Sequence, residues 1–532
     1  MKKSKFLLAV LAIGLIICLT GCTPIELSKK PLKTLNPDPI DDNNRVFYQI
    51  FVGSFSDSDG DGVGDIRGII NRMNYLNDGD YTDGRSLGVQ GIWLSPIFTS
   101  PSYHKYDAAN YYEVDSQFGT LDDLKELLNI CHERNVKVIL DLAINHSSNK
   151  NPWFQDFCSA RNSNNTSSPY YDFYTCYDRN DPEKPAKNSF SFIPGSGKWM
   201  YESNFSSDMP ELNFDNPAVR EEMLKVAKYW LDIGVDGFRF DAVKYIYYND
   251  NAASVDFWKW YMSELKKVKS DIYAVGECWD DDSIVLQYYE ALNCFNFSVG
   301  GVNGKILDAI RSDNINAYTN YVARFLNSIK EQNSDGMFMP FLANHDMDRA
   351  AGYLMVSNGS AYMAANIYIL CAGSPVIYYG EEIGMKGSRG GENTDANRRL
   401  AMLWGDKDTV SDPIGSTYEA SKQNNGTVKQ QLKDDNSLLE HYIRLLALRN
   451  KYPEIARGQY TALNSNISTV GGFSITYNNS TIGLFHNTSM YETVEITLPA
   501  GFTELADYIG LGNASVSNGV LRIGPNTSVI VK

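Results

Sequence analysis

The chain reads Gly-Val-Asp-Gly-Phe-Arg-Phe-Asp-Ala-Val-Lys-Tyr from Gly234 to Tyr245, and the rest of the sequence is best interpreted outward from this stretch. Apolar residues at strand spacing lead to Arg239 and Asp241, which are two residues apart and therefore point to the same side of a strand. A guanidinium beside a carboxylate favours the ionised form and lowers its pKa. The pattern predicts either a nucleophile that is negative at neutral pH or a structural ion pair on a strand.

The composition restricts the class of protein. With 532 residues, 43% of them hydrophobic, the chain can bury a large core and form at least two domains. Its formal net charge of −16 argues against nucleic acid or an anionic lipid surface as the main partner. Aromatic residues make up 12% of the chain, and flat amphipathic rings suit stacking on sugars.

The first residues resemble a lipoprotein signal. Basic residues at 2–5 precede an apolar run at 6–19, which has signal-peptide length and is shorter than a membrane-spanning helix. The run ends Leu-Thr-Gly-Cys at Cys22, which resembles the bacterial lipobox and implies removal of residues 1–21 and a diacylglycerol on the thiol; ordinary secretion is the alternative. We predict an extracellular lipoprotein, anchored to the cell membrane surface only through Cys22 by a proline-containing tether at 22–44. Labelled fatty acid that enters the protein but not its Cys22→Ala variant would test the anchor.

Short apolar runs alternate with helix-like segments through most of the chain. Eight such runs alternating with helices predict an α/β fold, a (β/α)8 TIM barrel. An open doubly wound sheet is the alternative, but no glycine-rich nucleotide loop follows the first run. Thr120 before an acidic turn, and Asn216 before Pro217, predict two of the helix starts. The predicted strands lie at 46–52, 89–96, 136–142, 234–241, 272–277, 294–299, 337–342 and 375–379.

Two segments depart from this alternation. Residues 145–209 are rich in Asn, Ser and Tyr with few apolar runs, which predicts a small domain inserted after the third strand. From about Gly458 onward, β-rich stretches among Gly- and Asn-containing turns predict a C-terminal antiparallel β domain, a sandwich. The predicted domains are a signal peptide at 1–21, a tether at 22–44, a barrel at 45–148 and 208–457, an inserted domain at 149–207 and a C-terminal β domain at 458–532.

Polar residues cluster where the predicted strands end. The carboxyl ends of barrel strands meet at one mouth, where barrel enzymes have their active sites. Many polar groups at these ends would be costly to bury without a site, although a set of structural ion pairs is the alternative. The residues concerned are His146, Arg239, Asp241, Glu277, His345 and Asp346.

Two carboxylates of this set suit the cleavage of a glycosidic bond. In such a reaction one carboxylate attacks the anomeric carbon and the other protonates the leaving oxygen. Arg239 stands beside Asp241 in the sequence, whereas few basic residues stand near Glu277, so Glu277 is expected to keep its proton more easily and to act as the acid. Attack by Asp241 and then by water inverts the carbon twice, so we predict a retaining reaction through a covalent glycosyl-enzyme.

The strand ends resemble the short signature regions of the α-amylase family, glycoside hydrolase family 13. The matching segments are 141–146, 237–245, 276–277 and 344–346, with further similarity at 209–213 and 373–381. They follow one another in the family's order from about residue 45 onward. The resemblance implies that Asp241 is the nucleophile, Glu277 the general acid/base, and Asp346 the transition-state stabiliser that binds the sugar hydroxyls. It also implies these substrate-binding residues: Tyr106, Asp107, His146, Arg239, Lys244, His345 and Arg399.

Within that set, the resemblance implies distinct roles. Tyr106 would stack under the sugar ring, and Asp107 and Arg399 would bind the far hydroxyls of the same unit as a pair. Lys244 would bind the sugar on the leaving side. Tyr245 stands where α-1,4-acting members of the family usually have His, which is a departure from their pattern.

An acidic loop follows the first predicted strand. Asp57, Asp59, Asp61 and Asp65 alternate with small residues, and alternate oxygens that converge in a tight loop suit Ca²⁺, with the carbonyl of Val63 as a further ligand. The loop resembles the calcium loop of the oligo-1,6-glucosidase-like branch of the family. A metal-free acidic turn is the alternative, although its carboxylates would repel one another.

The sequence therefore predicts an endo-acting α-amylase, an α-amylase-type glycoside hydrolase that acts as a monomer on α-1,4-glucans and maltooligosaccharides. An exo-acting α-glucosidase or an oligosaccharide-trimming relative is the second hypothesis. A non-catalytic glucan-binding lipoprotein is a third, but such a protein typically lacks one of the three acids. Cys158 and Cys176 lie in a polar segment and would be able to form a disulfide in an oxidising compartment.

Overall fold

The computed structural model describes residues 41–80 and 85–532. The predicted signal peptide, the lipidation site Cys22 and the tether up to residue 40 lie outside the described residues and stay predictions. Within the described ranges, no helix combines the length and the apolar character that a bilayer span needs.

A parallel sheet forms the wall of the predicted barrel. Its strands pair in register with their sequence neighbours, and the last strand returns to the first. This is the (β/α)8 TIM barrel that the alternation predicts. In spatial order the strands are Asn293–Cys294, Tyr273–Gly276, Gly237–Phe240, Lys137–Leu142, Gly91–Leu94, Phe47–Ile50 and Val376–Tyr378.

The stretch 337–342, predicted as a regular strand, closes the barrel in a less regular form. The Asn296 N–H donates to the Met339 carbonyl (3.1 Å), and the Val376 N–H donates to the Pro340 carbonyl (3.0 Å). Phe341 also forms a parallel bridge with Val376. Because Pro340 has no N–H to donate, the ladder is interrupted and no extended strand develops there.

Apolar side chains fill the barrel interior, as in a packed core. A second set of apolar contacts packs the helices against the outside of the sheet. The interior residues are Phe47, Trp93, Ile139, Tyr273, Val275, Phe295, Met337, Met339, Phe341 and Val376.

Helices follow most of the strands and begin at the predicted signals. Thr120 and Asp123 form a reciprocal capping box, and the Asn216 side chain accepts from the Ala218 N–H with Pro217 at the first helical position, so both predicted starts are confirmed. The helices of the barrel and its surroundings are Ile66–Asn71, Met73–Leu76, Leu121–Glu133, Pro217–Ile233, Asn251–Lys266, Asp282–Tyr288, Lys305–Arg311, Ile315–Gln332, Ser360–Ile369, Val428–Gln431, Leu438–Lys451 and Pro453–Arg457.

The insertion after the third strand has its own small sheet. The helix Pro152–Ser163 precedes three antiparallel strands, Cys176–Asp178, Phe190–Phe192 and Trp199–Glu202. Before it, Phe98–Thr99 pairs with Asn110–Val114. The thiols of Cys158 and Cys176 are both free in this structure.

Two antiparallel sheets form the C-terminal part of the chain. Apolar side chains such as Val470, Phe485 and Leu521 pack between them, which confirms the predicted sandwich. One sheet contains Gln459–Asn464, Val470–Tyr477, Ser480–Asn487, Thr527–Val531 and Leu505–Gly510, and the other contains Val494–Thr497, Val520–Ile523 and Ala514–Ser517.

Candidate active site

Arg239 lies at the centre of the polar groups at the carboxyl ends of the strands. Its Nη1 lies 2.7 Å from Asp141 Oδ1 and 2.5 Å from Asp241 Oδ1, and its Nη2 lies 3.0 Å from Glu277 Oε2. One guanidinium therefore holds three carboxyl groups that come from three neighbouring strands. The predicted nucleophile and the predicted acid are brought together by the same side chain.

The expectation that Glu277 has few basic groups near it is wrong. Arg239 is in register with Val275 of the adjacent strand, so Glu277, two residues later, points to the same side of the sheet. Arg239 and Glu277 therefore lie close together on adjacent strands that are far apart in the sequence. Their proximity was not visible from the residues that flank Glu277.

Burial dominates the pKa of both carboxyl groups. It raises the pKa of Asp241 to about 6, and the attraction of Arg239 opposes it. It raises the pKa of Glu277 to about 7, again with Arg239 in opposition. The expectation that Arg239 lowers the pKa of Asp241 is wrong in its net direction, because desolvation outweighs the ion pair. The relative order is nevertheless as predicted, since Glu277 keeps its proton to the higher pH.

Asp346 has the opposite electrostatic environment. Burial by itself would raise its pKa, but the hydrogen bond from His345 and the charge of Arg399 outweigh burial and hold the pKa of Asp346 well below its usual range. Asp346 Oδ2 lies 2.9 Å from His345 Nε2, and Asp346 Oδ1 lies 2.7 Å from Arg399 Nη2. Asp346 is therefore a carboxylate at neutral pH, which suits the stabilisation of developing positive charge on a sugar.

Only some of these charged groups are accessible from solvent. The Asp241, Glu277 and Asp346 side chains are 11%, 12% and 31% exposed, whereas Arg239 and Asp141 are completely covered. The three predicted catalytic acids are thus the members of the cluster that a substrate is able to reach.

Tyr106 and the two histidines surround the acids. The Tyr106 ring is parallel to the His345 ring at 5.4 Å, and its hydroxyl donates to Asp141 Oδ2 at 2.7 Å. His146 Nε2 lies 3.1 Å from the Tyr106 carbonyl. Burial lowers the pKa of His146 to about 4, so this imidazole is neutral at neutral pH. The structure places all three predicted residues in the site.

The backbone directly after Asp241 is strained. Ala242 has φ 44° and ψ 48°, in the left-handed region that residues with a Cβ rarely adopt. Its N–H donates to Glu277 Oε2 at 3.2 Å. Strain of this kind persists where the surroundings fix it and is concentrated at functional sites. Here it accompanies the close approach of the two candidate catalytic residues.

Asp107 and Arg399, which the resemblance assigns to the far hydroxyls of one sugar unit, have different partners within the protein. Asp107 Oδ1 accepts from the hydroxyls of Ser100 and Ser102. Arg399 instead binds Asp346 and the Tyr103 hydroxyl, the latter at 3.0 Å. Tyr103 is a site residue that the sequence reasoning missed, because its position in a loop carries no strand-end signal.

Lys244 lies beside an aromatic surface that the sequence reasoning also missed. Its Nζ lies 2.5 Å from Asp280 Oδ2 and 3.2 Å from the Trp279 carbonyl. Trp279 follows Glu277 by two residues, is 51% exposed, and stacks on Phe297 with ring centroids 4.5 Å apart. Exposed aromatic faces next to a catalytic acid suit stacking on a sugar.

A second aromatic group joins the inserted sheet to the barrel. The exposed Phe205 ring packs against Tyr245 at 4.6 Å and against His146 at 5.5 Å. Tyr245 in turn stacks on Tyr248 at 4.5 Å. The Tyr that replaces the family's usual His therefore supports an aromatic wall instead of offering an imidazole.

Three acidic residues of the predicted metal loop converge. Asp57, Asp59 and Asp61 each place one carboxylate oxygen within 4.8 Å of the others, a spacing that ligands of one Ca²⁺ satisfy. Asp65 is outside this group of three: its Oδ2 accepts from the Ser58 N–H, and its Oδ1 accepts from the Gly68 N–H and caps the helix Ile66–Asn71. The donor set of the first three residues fits a hard divalent cation.

A cavity of about 800 Å³ lies away from these residues, at the amino-terminal end of the strands. It is lined by Asp271, Asn293, Gly336 and Tyr477, among others, and by none of the predicted site residues. The chemistry described above therefore belongs to the other end of the barrel.

Comparisons with known proteins identify the family that the chain resembles over most of its length. Residues 49–458 match the profile of the alpha amylase catalytic domain. The chain is 35% identical to alpha-amylase 3 of Dictyoglomus thermophilum over 92% of this chain and 93% of that protein. It is 29% identical to an oligo-1,6-glucosidase of Parageobacillus thermoglucosidasius, over 78% of this chain and 84% of that protein. The solved structure of Amy13B from Eubacterium rectale superposes with a TM-score of 0.86 at 34% identity, over 93% of this chain and 97% of that chain.

Proposed function

Because this chain belongs to the α-amylase family of glycoside hydrolases, family 13, we propose that it is a retaining, endo-acting α-amylase on starch-like α-1,4-glucans and maltooligosaccharides. The observation that carries this proposal is the contact of one buried guanidinium, Arg239, with both Asp241 and Glu277. Retaining glycosidases need two carboxyl groups close together on opposite sides of the scissile bond. The 35% identical α-amylase supports the choice of an α-1,4-glucan as substrate.

We assign one task to each acid. Asp241 attacks the anomeric carbon as a carboxylate while Glu277 gives its proton to the leaving oxygen, and Glu277 then takes a proton from the water that releases the sugar. Asp346, which is ionised over the whole neutral range, faces the positive charge that develops on the ring. Arg239 keeps both reacting carboxyl groups oriented without being exposed itself.

An exo-acting α-glucosidase is the second candidate, and the oligo-1,6-glucosidase relative favours it. A time course of product lengths from amylose, maltotriose and pullulan separates the two. Mixed oligosaccharides should appear first from amylose, and NMR of fresh product should show the α anomer. Glucose alone from the start would replace the endo proposal by the exo one. Early β anomer would contradict the role of Asp241, and glucan binding without any release of reducing sugar would contradict an enzymatic function.

The activity should have a bell-shaped pH dependence. The acidic limb reports protonation of Asp241, whose pKa burial raises to about 6, and the basic limb reports loss of the Glu277 proton, whose pKa is about 7. Since both groups contact Arg239, the two apparent pKa values of the profile belong to the pair and not to either residue alone. We expect kcat/KM to be highest between these two values and to fall on both sides. A rate that keeps rising to pH 9 would contradict Glu277 as the acid.

We also propose that the acidic loop holds a structural Ca²⁺ through Asp57, Asp59 and Asp61, with Val63 and Asp65 as the further predicted ligands. A bound ion would neutralise the repulsion of three carboxylates and fix the loop that follows the first strand. Excess chelator should lower the melting temperature, since ligand at roughly 100 times Kd stabilises by about 2.7 kcal/mol. The Asp59→Ala variant should melt lower than wild type and should not respond to chelator. An unchanged wild-type melting curve in chelator would argue against the site.

A further inference from the structure

Gln49 is a buried amide on the inner side of the first barrel strand. It is two residues after Phe47, which lies in the barrel interior, and its side chain has no exposed surface. In register it lies between Trp93 on one neighbouring strand and Tyr378 on the other. A buried amide at this depth needs a polar partner.

The partner of Gln49 is an active-site imidazole. Its amide Nε2 lies 2.7 Å from Nδ1 of His345. Its Oε1 is buried and has no hydrogen-bond partner among the described residues. The amide group is therefore used on one side only, toward His345.

The other nitrogen of His345 faces two acceptors. Nε2 lies 2.9 Å from Asp346 Oδ2 and 2.6 Å from the Tyr106 hydroxyl. The single Tyr106 proton is directed to Asp141, a carboxylate held by Arg239, so the Tyr106 oxygen accepts from the imidazole. Nε2 must therefore carry the proton, and in a neutral ring Nδ1 is then an acceptor.

The orientation of the Gln49 amide decides whether this arrangement is stable. With its NH₂ group toward Nδ1, Gln49 donates to the free lone pair of the neutral ring. With its oxygen toward Nδ1, two lone pairs would face each other unless the ring gained a second proton. The two orientations of the amide therefore correspond to two protonation states of the ring: a neutral His345, or a doubly protonated His345 next to the three acids.

We propose that Gln49 is a positioning residue that holds His345 as the neutral tautomer protonated at Nε2, so that the ring donates toward Asp346 and Tyr106. The effect of Gln49 on turnover rests on the proposed glycosidase function, because in that reaction His345 must hold Asp346 in place against the sugar. The tautomer itself is a property of the protein without substrate.

Imidazole nitrogens measured by ¹⁵N NMR test this proposal directly. The chain contains six histidines, and the His345→Gln variant identifies the signals of His345 by their loss. In the wild type at neutral pH we expect one non-protonated nitrogen, Nδ1, and one protonated nitrogen, Nε2. In Gln49→Glu a carboxylate faces Nδ1, so both nitrogens should be protonated. We also expect kcat to fall by about 10- to 100-fold in this variant, with a smaller change in KM.

Gln90 provides a matched control. It is also a buried glutamine, but it directly precedes the strand Gly91–Leu94, at the end of the barrel opposite the candidate active site. There its Oε1 accepts from the Val46 N–H at 2.9 Å. The Gln90→Glu variant should leave the His345 pattern and the kcat of the folded protein as in the wild type.

Two results would overturn the proposal: a wild-type His345 that is protonated at Nδ1, or a Gln49→Glu variant whose His345 pattern equals that of the wild type. The wild-type spectrum decides the first point even if Gln49→Glu does not fold. A wild type with the expected tautomer but without glucan hydrolysis would contradict the proposed function and leave this inference standing.

Discussion

Asp241→Asn should lower kcat/KM on amylose by about 10⁴-fold or more while the protein stays folded. The amide has nearly the shape of the carboxylate but cannot attack the anomeric carbon. Arg239 keeps its contacts with Asp141 and Glu277, so the cluster retains its ion pairs. Initial rates of reducing-sugar release, together with a melting curve for the same preparation, measure the effect.

Glu277→Gln is the matched variant for this experiment. It should cost about 10²- to 10⁴-fold on amylose, because it removes proton transfer to the leaving oxygen. On an aryl α-glucoside with a good leaving group, which needs no proton, Glu277→Gln should recover much of the rate of the glycosylation step, whereas Asp241→Asn should not. Near-normal turnover in Asp241→Asn, or recovery in both variants, would contradict the assignment of the two roles.

Arg239→Leu should lower the free energy of unfolding of the barrel by about 3–5 kcal/mol. The reason is Asp141, which is completely covered and would lose the guanidinium that lies 2.7 Å from its Oδ1. An uncompensated buried carboxylate carries a large desolvation penalty. Chemical denaturation followed by circular dichroism measures the loss.

Two further variants separate burial from charge pairing. Arg67 also binds two acids, Asp123 and Glu126, but its side chain is 40% exposed, so Arg67→Leu should cost less than about 1 kcal/mol. Adding Asp141→Leu to Arg239→Leu should recover part of the stability, because the unpaired charge is then gone. Equal losses of unfolding free energy in Arg239→Leu and Arg67→Leu would show that burial of the cluster does not increase the cost of removing its arginine.

Local signals in the sequence were sufficient for the architecture. The capping box at Thr120 and the Asn216-Pro217 pair act over a few residues, and both helices begin there. The eight apolar runs predicted the barrel, although the run at 294–299 is a strand only at Asn293–Cys294 and the run at 337–342 is irregular. There Pro340 removes a donor from the ladder, and the closure depends on hydrogen bonds from distant residues such as Asn296 and Val376.

The sequence by itself also identified the candidate catalytic residues, because side chains at the carboxyl ends of barrel strands meet at the mouth of the barrel. Only the tertiary structure decided how those residues act on one another. Arg239 contacts Glu277 of the adjacent strand, Arg399 binds Asp346, and burial raises the pKa of Asp241 against its ion pair. Each of these depends on contacts between segments far apart in the chain, and desolvation is a sum over all of them.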